Sequence, residues 1–335
     1  MAKETLEGVE LSHLDQPVFD EAGVTKGDLV RYLDAVHERM LPELRDRALS
    51  VVRARLGQAA FMQKNLPKYA PDWIRSTTVW ANASKREVRY PVCDDRRTLV
   101  WLANQRAVEY HPALVPVDDH HQTHLILDLD PPDDVPPADG FRMAVAAALL
   151  VRQALDDAGL SGGVKTSGAK GVHVFVPLTE DAELPDVAAA TRALAERAAR
   201  LDPSVATTEF VRQERGGKVF VDSTRAGGAT VVAAYSPRVR PGLPVSFPLT
   251  WDTVEEVRPG DFTVLAAVER LAGDPWAEAM RTPHRLPADL VAEGHEIPIA
   301  RVVAMHEGKR RKRDQERHQA EAAAENASSP GGREL

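Results

Sequence analysis

Apolar residues recur at helical spacing near the start of the chain. In TKGDLVRYLDAVHERMLPELRDRA, Leu29, Leu33, Val36 and Met40 fall on one face, and Thr25 stands where an N-cap belongs. This predicts a helix over 25–48, with Pro42 kinking it or ending its first part, because proline lacks the backbone donor. Farther on, EVRYPVCD predicts a strand over 88–92, and RTLVWLANQRAVEY a helix over 97–110. HLILDLD, residues 124–130, is a short strand ending in carboxylates and closed by Pro131 and Pro132, which cannot continue a ladder. The PPDDVPPADG segment then reads as a loop.

An Ala- and Leu-rich helix is predicted over 141–158, broken by Gly159, Gly162 and Gly163 before VKTS. The turn GAKG leads into the strand VHVFVPL, and a second helix covers about 186–201. KVFVD and ATVVAAY read as two strands joined by the turn STRAGG. Helices alternating with short strands define an α+β, mixed α/β, class, and no repeat of fixed period is present. From about residue 295 the chain is charged and poor in large apolar residues. The expectation there is a tail, 295–335, helical from about residue 299 into a solvated basic run and then disordered through SSPGG.

Composition narrows the function classes. A chain of 335 residues holds one large domain or two ordinary ones, with room for a sizeable core. Cys93 is the only cysteine, so internal disulfides and cysteine zinc clusters are excluded. No apolar run reaches the roughly 18 residues of a membrane span, and MAKETLEGVELSH has no basic flank followed by an apolar stretch, so a cytoplasmic protein is expected. With 42 basic and 50 acidic side chains the net charge is −8, which leans against nucleic acid. A local basic track beside a carboxylate cluster is compatible with the same sum.

The carboxylates are the first chemical signal. Asp128 and Asp130 lie two apart on a strand, so both point to one face and can converge on a hard cation, although strand ends also attract Asp for capping. The second is Ser167-Gly-Ala-Lys170-Gly-Val-His173, a turn between strands. It is either an ordinary hairpin or an anion cradle with a hydroxyl, a cation and an imidazole. It is not a P-loop: Ala169 stands where that motif needs lysine, and a strand follows where it needs a helix. Asp222 ends KVFVD and would complete a two-metal site if it met the other two across adjacent strands, while Arg225 and Arg238 follow closely enough to neutralise a polyphosphate.

Taken in order, HLILDLDPP, KTSGAKGVHVFVPL and KVFVDSTRAGGATVVAAYSPR resemble the polymerase domain of bacterial LigD-type proteins, in the archaeo-eukaryotic primase superfamily. LSHLDQPVFDEAGVTKGDLVRYL, FMQKNLPKYAPDWI and TLVWLANQRAVEYHP extend the resemblance over roughly residues 11–278. It implies a primase-like core of mixed β-sheets flanked by helices. The expected boundaries are a catalytic unit over 1–294, with a DNA-binding part to about 115 and the core from about 116. The implied activity is addition of nucleotides to a primer 3′-hydroxyl at gaps or breaks during DNA repair.

By the same resemblance Asp128, Asp130 and Asp222 are the catalytic carboxylates and ligands of Mn²⁺ or Mg²⁺. Ser167, Lys170, His173, Arg225 and Arg238 belong to the nucleotide site, joined by His111 at the end of the helix bearing Trp101. Phe61 and Lys64 are implied on the DNA side, and Lys26 at a downstream 5′-phosphate. Two departures weaken that side: Gln16 stands where the family usually has lysine, and Met62 where a second aromatic is common. Trp73 and Trp80 are further stacking candidates. The implied partners are gapped or broken DNA and nucleoside triphosphates, with a Ku-type protein and a separate ligase as candidates, and a monomeric, stand-alone polymerase is expected.

Two rival classes remain at this stage. A metal-dependent phosphohydrolase also uses D-x-D at a strand end, but it needs a hydroxyl residue two positions after the second Asp, where this chain has Pro132. A non-catalytic DNA-end-binding subunit would have no need of all three carboxylates and the phosphate turn.

Overall fold

The computed structural model describes residues 4–19, 22–81, 85–226 and 230–299. The chain opens with a small hairpin, β1 (Thr5–Leu6) and β2 (Val9–Glu10), followed by α1 (Lys26–Ala35) and α2 (His37–Leu44). Thr25 caps α1 in a full capping box: its hydroxyl accepts the Asp28 N–H, and the Asp28 carboxylate accepts the Thr25 N–H. The break predicted at Pro42 falls instead at Val36, which leaves helical geometry, while Pro42 is accommodated inside α2 two residues before that helix ends.

Four strands follow: β3 (Leu49–Arg55), β4 (Gln58–Gln63), β5 (Ser76–Ala81) and β6 (Arg86–Pro91). After α3 (Arg96–Asn104) comes β7 (Ala107–Pro112), so the helix predicted over 97–110 is half helix and half strand. The reversal occurs at Arg106, which adopts a positive φ of 63°, a conformation that an arginine does not announce in sequence. β4, β3 and β7 form a three-stranded sheet, and β5 pairs with β6 alone.

The remaining elements are β8 (His124–Asp130), α4 (Pro137–Asp157), β9 (Gly163–Thr166), β10 (Val172–Pro177), α5 (Leu184–Leu201), β11 (Ala206–Thr207), β12 (Val219–Asp222), β13 (Pro248–Leu249), α6 (Pro275–Ala279) and α7 (Ala288–Glu296). The loop expected before α4 gives way to helix at Pro137, because proline is preorganised for a first helical position. Six strands make a mixed sheet in the order β11-β12-β8-β10-β9-β13, antiparallel except at β11–β12. α4 and α5 pack on it and on each other through buried alanines, among them Ala144, Ala147, Ala190 and Ala193. α7 lies so close on α5 that a Cβ at Gly294 would meet the Ala189 carbonyl oxygen at 1.9 Å. α7 thus continues past residue 294 and is pinned by His295 on Asp186 and Glu293 on Arg197; the tail from residue 300 lies outside the described residues.

Segment 230–235 is not the second arm of a hairpin, and Ala229 with the two glycines of the expected turn lies outside the described residues. Thr230 makes a single bridge to Ala113, the Ala233 N–H bonds to the Tyr110 carbonyl, and Tyr235 turns through a φ of 64°. The run is apolar because it is buried between the two sheets as a strap: the Tyr32 hydroxyl donates to the Tyr235 carbonyl, and Ser236 accepts from the Tyr110 N–H.

Candidate active site

Four neighbouring strands place four polar side chains on one row. Asp222 on β12 is the Cα partner of Asp128 on β8, Asp128 of His173 on β10, and His173 of Lys165 on β9. Directly opposed residues of antiparallel strands share a face, so the register alone converges them. Asp130 lies two residues along β8 on the same face, and oxygen atoms of Asp128, Asp130 and Asp222 all fall within 4.8 Å of one another. An all-carboxylate donor set of this spacing fits a hard divalent cation.

The charge of the cluster is partly balanced from within. Arg225 Nη2 donates to Asp128 Oδ2 at 2.5 Å and lies 3.2 Å from Asp222 Oδ2, while His173 Nε2 is 3.2 Å from Asp128 Oδ1. Burial opposes ionisation of Asp128, but His173 and Arg225 outweigh it and hold the carboxyl well below the usual range. Asp130 reaches the surface at its edge, yet crowding by protein desolvates it, and with Asp128 beside it the carboxyl is pushed up to about 7. Asp222 is tethered by the backbone N–H and hydroxyl of Thr224, both donating to Oδ1 at 2.8 and 2.6 Å.

The turn after β9 is built around Ser167, whose hydroxyl accepts the N–H groups of Ala169 and Gly171 at 3.2 and 3.1 Å. Gly168 has a φ of +69°, and a Cβ there would strike Arg238 Cγ at 2.5 Å, so glycine is what lets Arg238 close over the turn. Arg238 Nη1 donates to the Ser167 carbonyl at 2.6 Å, and its Nε lies 3.2 Å from Glu109 Oε2 without hydrogen-bond alignment. His111 sits on β7, not at a helix end as its sequence context predicts, and its Nε2 donates to Glu109 Oε2 at 2.9 Å. Although burial works against it, the hydrogen bond from His111, the charge of Arg238 and the Val239 N–H bring Glu109 down to about 2. Lys170 turns the other way, donating to the Pro132 carbonyl and pairing with Asp133 at 3.3 Å. It thereby lines a cleft of about 410 Å³ beside Asp130, together with Arg212, Arg215 and Lys218.

The DNA-side candidates do not join this cluster. Phe61 and Met62 are 44% and 47% exposed on β4, with Arg53 5.9 Å from the Phe61 ring centroid, and Lys64 is exposed just beyond that strand. Trp80 is exposed on β5, whereas Trp73 is half-buried under the Arg97 guanidinium. Lys26 is buried, and its ammonium donates to the Ser12 carbonyl at 2.5 Å. Burial and then Arg106 bring Lys26 down to about 8, and Arg106 Nη2 holds the Gln16 side-chain carbonyl at 2.6 Å. Sequence reasoning missed Lys165, Glu109 and Arg106. Lys165 and Glu109 carried a signal, each being a charged residue inside an apolar strand; Arg106 carried none.

Carboxylates converging from two strands of a mixed sheet, beside a glycine-bearing turn that Arg238 closes, form a cluster able to hold a divalent metal ion. The family description "LigD, primase-polymerase domain" matches residues 25–276. The bifunctional non-homologous end joining protein LigD of Bacillus subtilis (strain 168) is 32% identical over 290 residues, covering 84% of this chain and 46% of that protein. The multifunctional non-homologous end joining DNA repair protein LigD of Mycobacterium tuberculosis (H37Rv) is 31% identical over 280 residues, 79% of this chain and 36% of that protein. A solved structure described as the polymerase domain from M. tuberculosis ligase D in complex with DNA superimposes with a TM-score of 0.74 at 29% identity, covering 82% of this chain and 99% of that one. The chain belongs to the LigD primase-polymerase domain family, and it is an enzyme of the nucleotidyltransferase class. It spans less than half the length of these two curated relatives. Among the described residues no helix is long and apolar enough to cross a membrane.

Proposed function

We propose that this chain extends a primer 3′-hydroxyl at gaps or breaks in DNA, using nucleoside triphosphates, as part of break repair. The observation that carries the reading is the meeting of Asp128, Asp130 and Asp222 within 4.8 Å, one strand away from the Ser167–Gly171 turn. In this reading the three carboxylates hold Mn²⁺ or Mg²⁺. Such cations, when bound, activate the primer hydroxyl and offset the negative charge of in-line phosphoryl transfer. Lys170, His173, Arg225 and Arg238 receive the triphosphate, Ser167 shapes the backbone that cradles it, and His111, oriented by Glu109, approaches the sugar or phosphates.

The exposed Phe61 and Lys64 support a template or duplex contact on β4. At the downstream end, Lys26 and Arg106 offer two cations in place of the lysine that Gln16 replaces, and a dianionic 5′-phosphate relieves their mutual repulsion. Extension of a labelled primer beside a gap, with ribo- or deoxynucleotides and with Mn²⁺ or Mg²⁺, tests the proposal. Template-directed addition is the expected result, and its absence under every combination overturns it.

A further inference from the structure

Lys165 is fully buried, and the three hydrogen-bonding neighbours of its ammonium define its state. The Val232 carbonyl, 3.0 Å from Nζ, can only accept. Ser246 Oγ, 2.7 Å from Nζ, commits its own proton to the Thr166 carbonyl at 2.8 Å, so toward Lys165 it accepts. The third neighbour is His173 Nδ1 at 2.7 Å.

Two arrangements complete this set. With an ammonium, the third N–H donates to a bare Nδ1, the ring proton sits on Nε2, and Nε2–H faces Asp128 Oδ1 at 3.2 Å as donor to acceptor. With a neutral amine, Nδ1–H donates to Nζ. A neutral ring then turns a bare Nε2 toward the carboxylate, and only an imidazolium would repair that contact. Burial and then Arg238 bring Lys165 down to about 7, still above the ordinary imidazole value of about 6.5, so the proton stays on the amine that has three acceptors around it. The Phe175 ring, its centroid 5.2 Å from Nζ, further favours the cation on lysine.

We propose that Lys165 is a positioning residue that fixes the tautomer of His173, so that Nε2 always presents a hydrogen to the carboxylate and phosphate side of the site. The inference deepens the nucleotide-site reading above and rests on it only for the consequence in catalysis. β9 brings Lys165 into register with His173, and the strap supplies Val232 and Ser246, so the device exists only where sheet and strap meet.

The test is ¹⁵N NMR of imidazole-labelled full-length chain without metal or nucleotide, the His173 signals being assigned by their loss in His173→Gln. The expected result is a pyrrole-like Nε2 and a pyridine-like Nδ1. A proton on Nδ1, or on both nitrogens, at neutral pH overturns the proposal, and this needs neither a stable Lys165 variant nor any polymerase activity. In kinetics, Lys165→Met should raise the nucleotide KM about tenfold with a smaller change in kcat. In the His173→Gln background, where the amide carries its own N–H, the same substitution should change KM less than twofold. An equal rise in both backgrounds would show that Lys165 acts on something other than the histidine.

Discussion

Asp222 and Asp128 face each other as Cα partners across β12 and β8, and one guanidinium, that of Arg225, touches both carboxylates. Arg225 thus occupies the edge that a divalent cation would approach. Arg225→Gln is expected to tighten Mn²⁺ binding in the absence of nucleotide by roughly tenfold, about 1.4 kcal/mol. Calorimetric titration of the metal checks it; unchanged or weaker binding would show that Arg225 does not compete for these oxygens.

The three carboxylates should separate by stability although all three are expected to be needed for nucleotide addition. Asp128→Ala leaves His173 Nε2 without its carboxylate and Arg225 with Asp222 alone, and should destabilise the fold. Asp130→Asn removes a charge the fold disfavours. Because its folded pKa lies near 7, above the unfolded value, the cost of ionising it is absent below about pH 4 and complete above about pH 7. Metal-free Asp130→Asn should therefore be more stable than wild type at pH 8, by about 1 kcal/mol after allowance for its exposed edge, and equal to it near pH 3. Thermal melts of both variants at the two pH values, with primer extension alongside, decide the matter.

Glu109 ties His111 to Arg238 and accepts the Val239 N–H at 2.8 Å. Its folded pKa of about 2 lies below the unfolded value of 4.5. The stability it contributes is complete above about pH 4.5 and is lost as pH falls toward 2, amounting to about 3 kcal/mol at most. Glu109→Gln should lose most of that at pH 7 and little near pH 2, and should weaken nucleotide binding through Arg238. Denaturant melts across pH 2–7 would disprove this if the variant tracked wild type throughout.

At the DNA end, Lys26 and Arg106 predict a modest preference for a phosphorylated over a hydroxyl downstream end, roughly tenfold or less. Arg106→Ala and Lys26→Ala should each reduce it, and Gln16→Lys should increase it. Lys26 also holds the Ser12 carbonyl, so the Arg106 variant is the cleaner probe. Binding to gapped duplexes of both kinds at one salt concentration measures it, and no preference in wild type or in Gln16→Lys would place the substrate on another surface.

What the sequence by itself determined follows from period and punctuation. HLILDLD closed by two prolines, the glycine-bearing turn before VHVFVPL and KVFVD before its turn are local signals, and all became the elements expected, with their carboxylates at strand ends. The family was legible in their order, which no single motif carried. Local signals failed where the backbone does something its residues do not announce. Arg106 takes a positive φ and cuts a predicted helix into helix and strand, and ATVVAAY looks like a strand because burial on both sides makes any segment apolar. Tertiary structure alone decided register: that Asp222 opposes Asp128, that His173 stands between Asp128 and Lys165, and that Glu109 reaches Arg238 from another sheet. Pairing between strands far apart in the chain is chosen by the packing of whole faces, because a one-residue slip would turn every side chain to the opposite side.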